Sequence, residues 1–308
     1  MEISHLVGNL LENISEDDLL RHLTKATFYE LWAWEVLLNA VEVKKKSDLL
    51  TLEDNLVWNY FAVATMYEQN QPYDKWVREE IMKTLEEECS CARFKHSIIK
   101  EAFRLGFYPM SITLWDTDFL TIRHHLIKTI ITFDQLHIPK NTARYIRNGF
   151  ANYTMTFNRD FHQCLHALTE AYPETWLCPK LVKAFETIHT TPTPYVSIDS
   201  VEIWNEKGEL VAGEVGFITG NVYASLSGFH KERNIGTVQM SLLGLFLKHN
   251  GFAYWDLGMS LPYKYRYGAV DCDRQQQAAL WAKRKKTRNI LPTTAISLGE
   301  LWARCNDR

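Results

Sequence analysis

Two hydrophobic periods divide the chain. Between residues 15 and 90 apolar positions recur at helical spacing, in "DDLLRHLTKATFYELWAWEVLLNAVEVKKK", "LEDNLVWNYFAVATMYEQN" and "YDKWVREEIMKTLEEE". Ser15 is placed as an N-cap, with Asp17 and Asp18 in the first turn. The pattern predicts a small helical domain over residues 1–90, with Trp32, Trp34, Trp58 and Trp76 in its core. "ARFKHSIIKEAFRLGFYPMS" then reads as a helix stopped by Gly106 and Pro109, followed by a short strand "ITLW". "PKNTARYIRNG" predicts a helix with Pro139 in its first turn, and "NYTMTFN" alternates as a strand. "RDFHQCLHALTEAY" and "PKLVKAFETIHT" are helices on either side of "PETWLC".

From Tyr195 the period becomes two. "VSIDSVEIW", "ELVAGEVGFIT" and "NVYASLSGF" predict three strands, turning at Asn205–Gly208 and at Thr219–Asn221. A helix "GTVQMSLLGLFLKHNG", a short strand "FAYWDLG" reaching Asp256 and a last helix "DRQQQAALWAKRKK" complete the pattern. The order of meander, helix, strand and helix is that of a GNAT-like centre. The expected fold is α+β: an N-terminal helical domain (1–90), then a GNAT-like mixed β-sheet domain with flanking helices (91–308).

Composition changes this picture little. The chain has 308 residues, 46% hydrophobic and 23% charged, as an ordinary soluble globular protein has. No run approaches the roughly 18 apolar residues of a membrane span, and the acidic N-terminus lacks the basic region of a signal peptide. Six cysteines without zinc spacing fit a reducing cytoplasm and no metal. Charge adds more: residues 1–90 carry a net −10 and residues 91–308 a net +7. That asymmetry points to a polyanionic partner for the second part, or to a solvated acidic helical face on the first.

Several residues stand out chemically. Alternation along "NVYASLSGF" puts Tyr223, Ser225 and Ser227 on one strand face. Asp256 ends a buried strand, either as a proton acceptor or as a cap for the following loop. Glu214 is a lone carboxylate on a half-buried strand, which is costly unless paired. It either turns to solvent or a protein Arg, or faces a pocket and pairs a cationic ligand. Lys283, Arg284, Lys285, Lys286 and Arg288 would follow a nucleic-acid backbone, or form a solvated helix end. His162 and His166, four apart on a helix, lack a third ligand and read as structural; His124 and His125 stay unassigned. In "RNIGTV", Arg233 and Gly236 fit the pyrophosphate loop of GNAT enzymes, but Val238 replaces a small residue. That argues against acetyl-CoA, because a branched side chain blocks close backbone approach to a phosphate.

"YVSIDSVEIWNEKGELVAGEVGFITGNVYASLSGF" resembles the leucyl/phenylalanyl-tRNA–protein transferase family. That family's pattern runs His-Ser-(Ile/Val)-Glu-x-Trp, Leu-Val-Gly-Gly-x-Tyr-Gly, and Gly-x-x-Phe-x-Gly-Glu-Ser-Met-Phe-Ser. Ser200, Glu202, Trp204, Leu210, Val211, Gly213, Gly216, Gly220, Ser227 and Phe229 sit in register with it. "PETWLC", "LHIPK", "AFRLGFYPM" (against Gly-(Ile/Tyr)-Phe-Pro-Trp) and "YWDLG" (against (Ile/Leu)-Asp-Cys-Gln) follow the family order over about residues 91–300. There are departures. Leu226 stands at the Glu near the aminoacyl amine, Gly258 at the Gln after the strand Asp, Met110 at the Trp, and Glu214 at the Met of the apolar pocket. "YWDLGMSLPYKYRYGA" also resembles arginyl-tRNA–protein transferases, through Tyr254, Gly258, Met259, Tyr265, Arg266, Tyr267 and Gly268.

The resemblance implies aminolysis of the ester that joins an amino acid to tRNA, with the N-terminal amine of an acceptor protein as nucleophile and no cofactor. Asp256 would orient the amine and draw its proton, directly or through water. Ser225, Ser227 and Tyr223 would bond the ribose or the oxyanion. Trp176 would stack near the terminal adenosine, or be core. Glu214, Leu226 and Phe229 would line the aminoacyl site, and Lys283, Arg284, Lys285 and Lys286 the acceptor stem. Arginine is slightly favoured as the donor residue, with leucine or phenylalanine open. An acyl-CoA N-acyltransferase and a non-catalytic tRNA-binding relative are the alternatives. Oligomeric state is left open.

Overall fold

The computed structural model describes residues 88–91, 94–114, 117–123, 125, 127–173 and 176–306. The expected N-terminal helical domain (1–90) lies outside the described residues except for its last three, 88–90, which form part of a strand rather than a helix end. The strands are β1 (Glu88–Cys91), β2 (Tyr108–Leu114), β3 (Thr117–Arg123), β4 (Ile127–Thr132), β5 (Thr154–Phe157), β6 (Val196–Trp204), β7 (Leu210–Thr219), β8 (Val222–His230), β9 (Tyr254–Asp256), β10 (Val270–Asp273) and β11 (Ile296–Ser297). The helices are α1 (His96–Arg104), α2 (Thr142–Tyr145, continued as a wider turn over Ile146–Phe150), α3 (Phe161–Ala171), α4 (Pro179–Thr190), α5 (Ile235–His249), α6 (Arg274–Ala282) and α7 (Leu298–Asn306).

The strands form two sheets. β1, β3 and β2 make a three-stranded antiparallel sheet. The other eight run in the order β10-β4-β9-β8-β7-β6-β5-β11. Among the described strands only β8 and β9 pair in parallel; α5 connects them, because a parallel return needs a crossover. The fold is thus mixed α+β, as the pattern predicted.

β6 and β7 are buried along their whole length, because both sheet faces are covered. On one face Phe217, Val215, Ile198 and Phe229 pack against α1, α3 and α4; Phe103 of α1 stacks on Phe217 with centroids 4.5 Å apart. On the other face Val201, Ile203, Ile218 and Tyr223 pack against α5 and α7.

The polar residues inside the "VSIDSVEIW" strand are satisfied in pairs. Glu202, fully buried, accepts from Thr156 and Ser200 hydroxyls at 2.5 Å each and from the amides of Arg159 and Asp160 at 3.3 Å. Asp199 accepts from Ser197 and Asn158. These bonds fasten β6 to β5 and to the start of α3, where Asp160 caps the helix by accepting from the Gln163 amide.

The β7–β8 ladder is irregular at one point. Its register shifts between Val215 and Gly216: Gly216 faces Ser225, whereas Val215 faces Ser227. Leu226 is the extra residue of a β-bulge.

Candidate active site

β8 and β9 are in register from Val222–Tyr254 to Ala224–Asp256. There β9 stops, while β8 runs on to His230. The two strands part, and a cleft of about 640 Å³ opens between them. Its walls are β8 from Ser225 to His230, the first turn of α5, and the loop after β9 with Met259, Tyr263, Lys264 and Arg266; Tyr108, Met110, His125, Tyr172 and Trp176 close the far side. Such a parting of parallel strands before a helix N-terminus is a common place for a ligand. The α5 N-terminus adds partial positive charge.

Glu214 lies on the cleft and is only 3% exposed. Oε1 accepts from Ser225 Oγ at 2.7 Å and from Tyr223 Oη at 2.9 Å; Oε2 accepts from Gln239 Nε2 at 3.4 Å. Trp255 Nε1 donates to Ser225 Oγ in turn. Gly216 makes this possible, since a Cβ there would sit 2.5 Å from Tyr223 Oη. Burial pushes the Glu214 carboxyl up, while its three neutral donors and the more distant charge of Lys264 act the other way. Among the described residues no Arg or Lys forms an ion pair with it. The alternatives of a solvent-facing or Arg-paired Glu214 do not hold: its strand parity turns it inward, under α5.

Asp256 is just as buried, 1% exposed, yet it does not line the cleft. Lys128 Nζ pairs with Oδ2 at 2.9 Å; Tyr108 Oη donates to Oδ1 at 2.7 Å and the Gly258 amide to Oδ1 at 2.9 Å. It therefore caps the following loop, with Oδ1 held by Tyr108, itself a residue of the cleft wall. The expected direct contact of Asp256 with a reacting amine is corrected accordingly.

The hydroxyl row is corrected too. Tyr223 is fully buried and its hydroxyl is engaged by Glu214, so it does not reach the cleft. The bulge at Leu226 breaks the alternation, so Ser227 follows Val215 to the sheet face opposite Ser225. Ser225, Leu226, Ser227 and Phe229 all still line the cleft, because it opens through the sheet at its splayed edge. Trp176 lines it as well, partly buried, with its carbonyl held by Ser111.

The basic run lies elsewhere. The Asn221 side chain accepts from the Lys285 amide at the β7–β8 turn, roughly 20 Å along β8 from Ser227 at about 3.3 Å per residue. Lys283, Lys285 and Lys286 are exposed. Arg284 is not available to a ligand: it stacks on Trp281 at 4.5 Å and donates to the carbonyls of Trp281 and Arg104. Val238 is fully buried in the core beneath α5 and does not face the cleft, so it does not obstruct a phosphate there. His162 pairs with Glu186 at 2.9 Å, a structural tie between α3 and α4.

Sequence reasoning missed Tyr108, Lys128, His125 and Lys264. Burial drives His125 down to about 4, helped by Lys128, and Lys264 down to about 8. Lys264 Nζ donates to the Leu257 and Met259 carbonyls, holding the loop after β9.

Residues 130–281 match the family described as leucyl/phenylalanyl-tRNA protein transferase. Over this segment, just under half of its length, the chain resembles that family. The leucyl/phenylalanyl-tRNA–protein transferase of Maridesulfovibrio salexigens is 28% identical over 48% of this chain and 61% of its own length. That of Alkalilimnicola ehrlichii is 27% identical over 58% of this chain and 67% of its own. The chain thus spans about two thirds of these relatives. A solved structure of a functionally unknown conserved protein from Staphylococcus epidermidis superposes with a TM-score of 0.32 at 9% identity, over 64% of this chain and 74% of that one. The matched segment contains Trp176, Glu214, the β8 residues and Asp256; Tyr108, His125 and Lys128 precede it. No helix among the described residues is long and apolar enough to cross a membrane.

Proposed function

We propose that this protein transfers an aminoacyl group from charged tRNA to the N-terminal amine of an acceptor protein or peptide. The observation that carries the reading is Glu214, a buried carboxylate without a cationic partner among the described residues, facing a cleft within the family-matched segment. The compartment follows from the substrates: charged tRNA and acceptors meet in the cytoplasm. The added residue would mark the acceptor for degradation, as an N-degron. The β8–α5–β9 unit, whose two strands pair in parallel, supports the GNAT-like assignment.

The terminal adenosine would lie against Trp176, with its phosphate toward the first turn of α5. Its aminoacyl side chain would run beneath β8 toward Glu214, beside Ser225 and Leu226. A guanidinium there meets a carboxylate already fixed by three donors, and a bidentate pair with arginine is the strong form of that contact. Arginine is therefore favoured over leucine or phenylalanine, whose side chains would leave the carboxylate unpaired.

The acceptor amine attacks the ester carbonyl, an amide forms and the ribose hydroxyl leaves. The ester is already activated, so alignment of the two partners does most of the work, up to about 7–11 kcal/mol for ideal geometry. Ser227, on the cleft wall, would donate to the developing oxyanion. Incubation with tRNAs charged with labelled arginine, leucine or phenylalanine and with peptides of defined N-terminus tests the reading. Label on the peptide amine is expected; label from acetyl-CoA and none from tRNA would replace the reading with acyl-CoA transfer.

A further inference from the structure

Gly258 follows Asp256 by two residues and holds φ +69°, where a side chain is strained. A Cβ at this position would meet the Tyr108 ring at 3.2 Å. The ring thus fills the space into which residue 258 would otherwise project. Tyr108 lines the cleft, and its hydroxyl donates to Asp256 Oδ1 at 2.7 Å. Through this bond Asp256 is linked to a residue of the cleft wall. In the family pattern, Phe occupies the place of Tyr108 and Gln the place of Gly258. The polar group absent at 258 is present at 108, from a different strand.

We propose that Tyr108 is a catalytic residue whose phenol relays a proton between the attacking amine and Asp256. This rests on the aminoacyl-transfer reading. As the neutral amine nitrogen bonds to the ester carbonyl carbon, its proton passes to Tyr108 Oη while the phenol's own proton passes to Asp256. The carbonyl π pair moves onto oxygen. When the bond from carbon to the ribose oxygen breaks, the proton returns from Asp256 through Tyr108 to that oxygen. The products are an amide and a free ribose hydroxyl, and both residues end as they began.

The surroundings fit a relay rather than a phenolate. Burial, and then the Asp256 charge, hold the Tyr108 hydroxyl well above its usual value, so it stays protonated between turnovers. Lys128 lies 5.0 Å from the ring centroid and pairs with Asp256; neutral His125 packs against the ring at 5.3 Å. Arg123 and Lys264 also act on His125, and the Asp256 charge acts on Lys264.

Single-turnover transfer from saturating charged tRNA to a peptide tests the relay. Tyr108→Phe keeps the ring and removes the hydroxyl; its rate should fall about a hundredfold or more, with tRNA affinity within about twofold of wild type. Fluorinated tyrosines incorporated at 108 keep shape and hydrogen bond but change phenol acidity, and the rate should follow that acidity. A packing role would leave it unmoved, so these variants decide the question even if Tyr108→Phe folds poorly. Wild-type rates in Tyr108→Phe, or rates indifferent to fluorination, overturn the relay alone. Failure of the wild type to transfer from any charged tRNA overturns the aminoacyl-transfer reading and the relay with it.

Discussion

Lys128 Nζ lies 2.9 Å from Asp256 Oδ2, and the two side chains are 5% and 2% exposed. Breaking such a pair strands a charge away from water. Lys128→Met should cost about 3–5 kcal/mol in chemical denaturation, and the double variant Lys128→Met with Asp256→Asn should recover part of it. A single-variant cost below about 1 kcal/mol would mean that the carboxylate is solvated or neutral.

Glu214 should set donor preference. Glu214→Leu removes the buried charge and leaves an apolar wall beside Leu226. In competition between arginyl- and leucyl-tRNA, the product ratio should shift toward leucine by tenfold or more, equivalent to about 1.4 kcal/mol. An unchanged ratio would remove the case for a basic side chain.

Trp176→Ala should weaken tRNA binding by about 1–3 kcal/mol, the worth of one stacked base. Combined Lys283, Lys285 and Lys286→Ala variants act differently if the acceptor stem follows that turn: affinity should fall alike for every charged tRNA, and the salt slope of binding should flatten. Arg284→Ala should instead lower thermal stability, because Arg284 holds Trp281 and the end of α1.

His125 should make stability depend on pH. Burial lowers its value to about 4, from the ordinary 6.5. In that window the unfolded chain binds a proton that the folded chain excludes, so stability rises with pH from about 4 to about 6.5. The slope from this group is at most about 1.4 kcal/mol per pH unit. His125→Gln should flatten that stretch in denaturation series at fixed pH; an unchanged slope would place its origin elsewhere.

The strands from Val196 to His230 and helices α3, α4, α5 and α6 were legible in the sequence, because alternation and helical spacing are local signals. Glu214 was legible as a cost, a charge without a neighbour in sequence to answer it. The bulge at Leu226 was not, since a register shift depends on what β7 presents across the ladder. It reverses Ser227 against Ser225, which strict alternation could not foresee. Tyr108 and Lys128 were also hidden. They reach Asp256 from 148 and 128 residues away, and no spacing rule joins them. β3 and β4 escaped because short apolar runs between helices carry no distinctive period.

The central claim, that the cleft receives an aminoacyl-adenosine with its side chain at Glu214, is tested most directly by a crystal structure with a non-hydrolysable arginylamido-adenosine. The account predicts the adenine against Trp176 and the guanidinium about 3 Å from the Glu214 oxygens. An analogue bound outside the β8–β9 cleft, or bound there with its guanidinium in solvent and Glu214 still held only by Ser225, Tyr223 and Gln239, would contradict it.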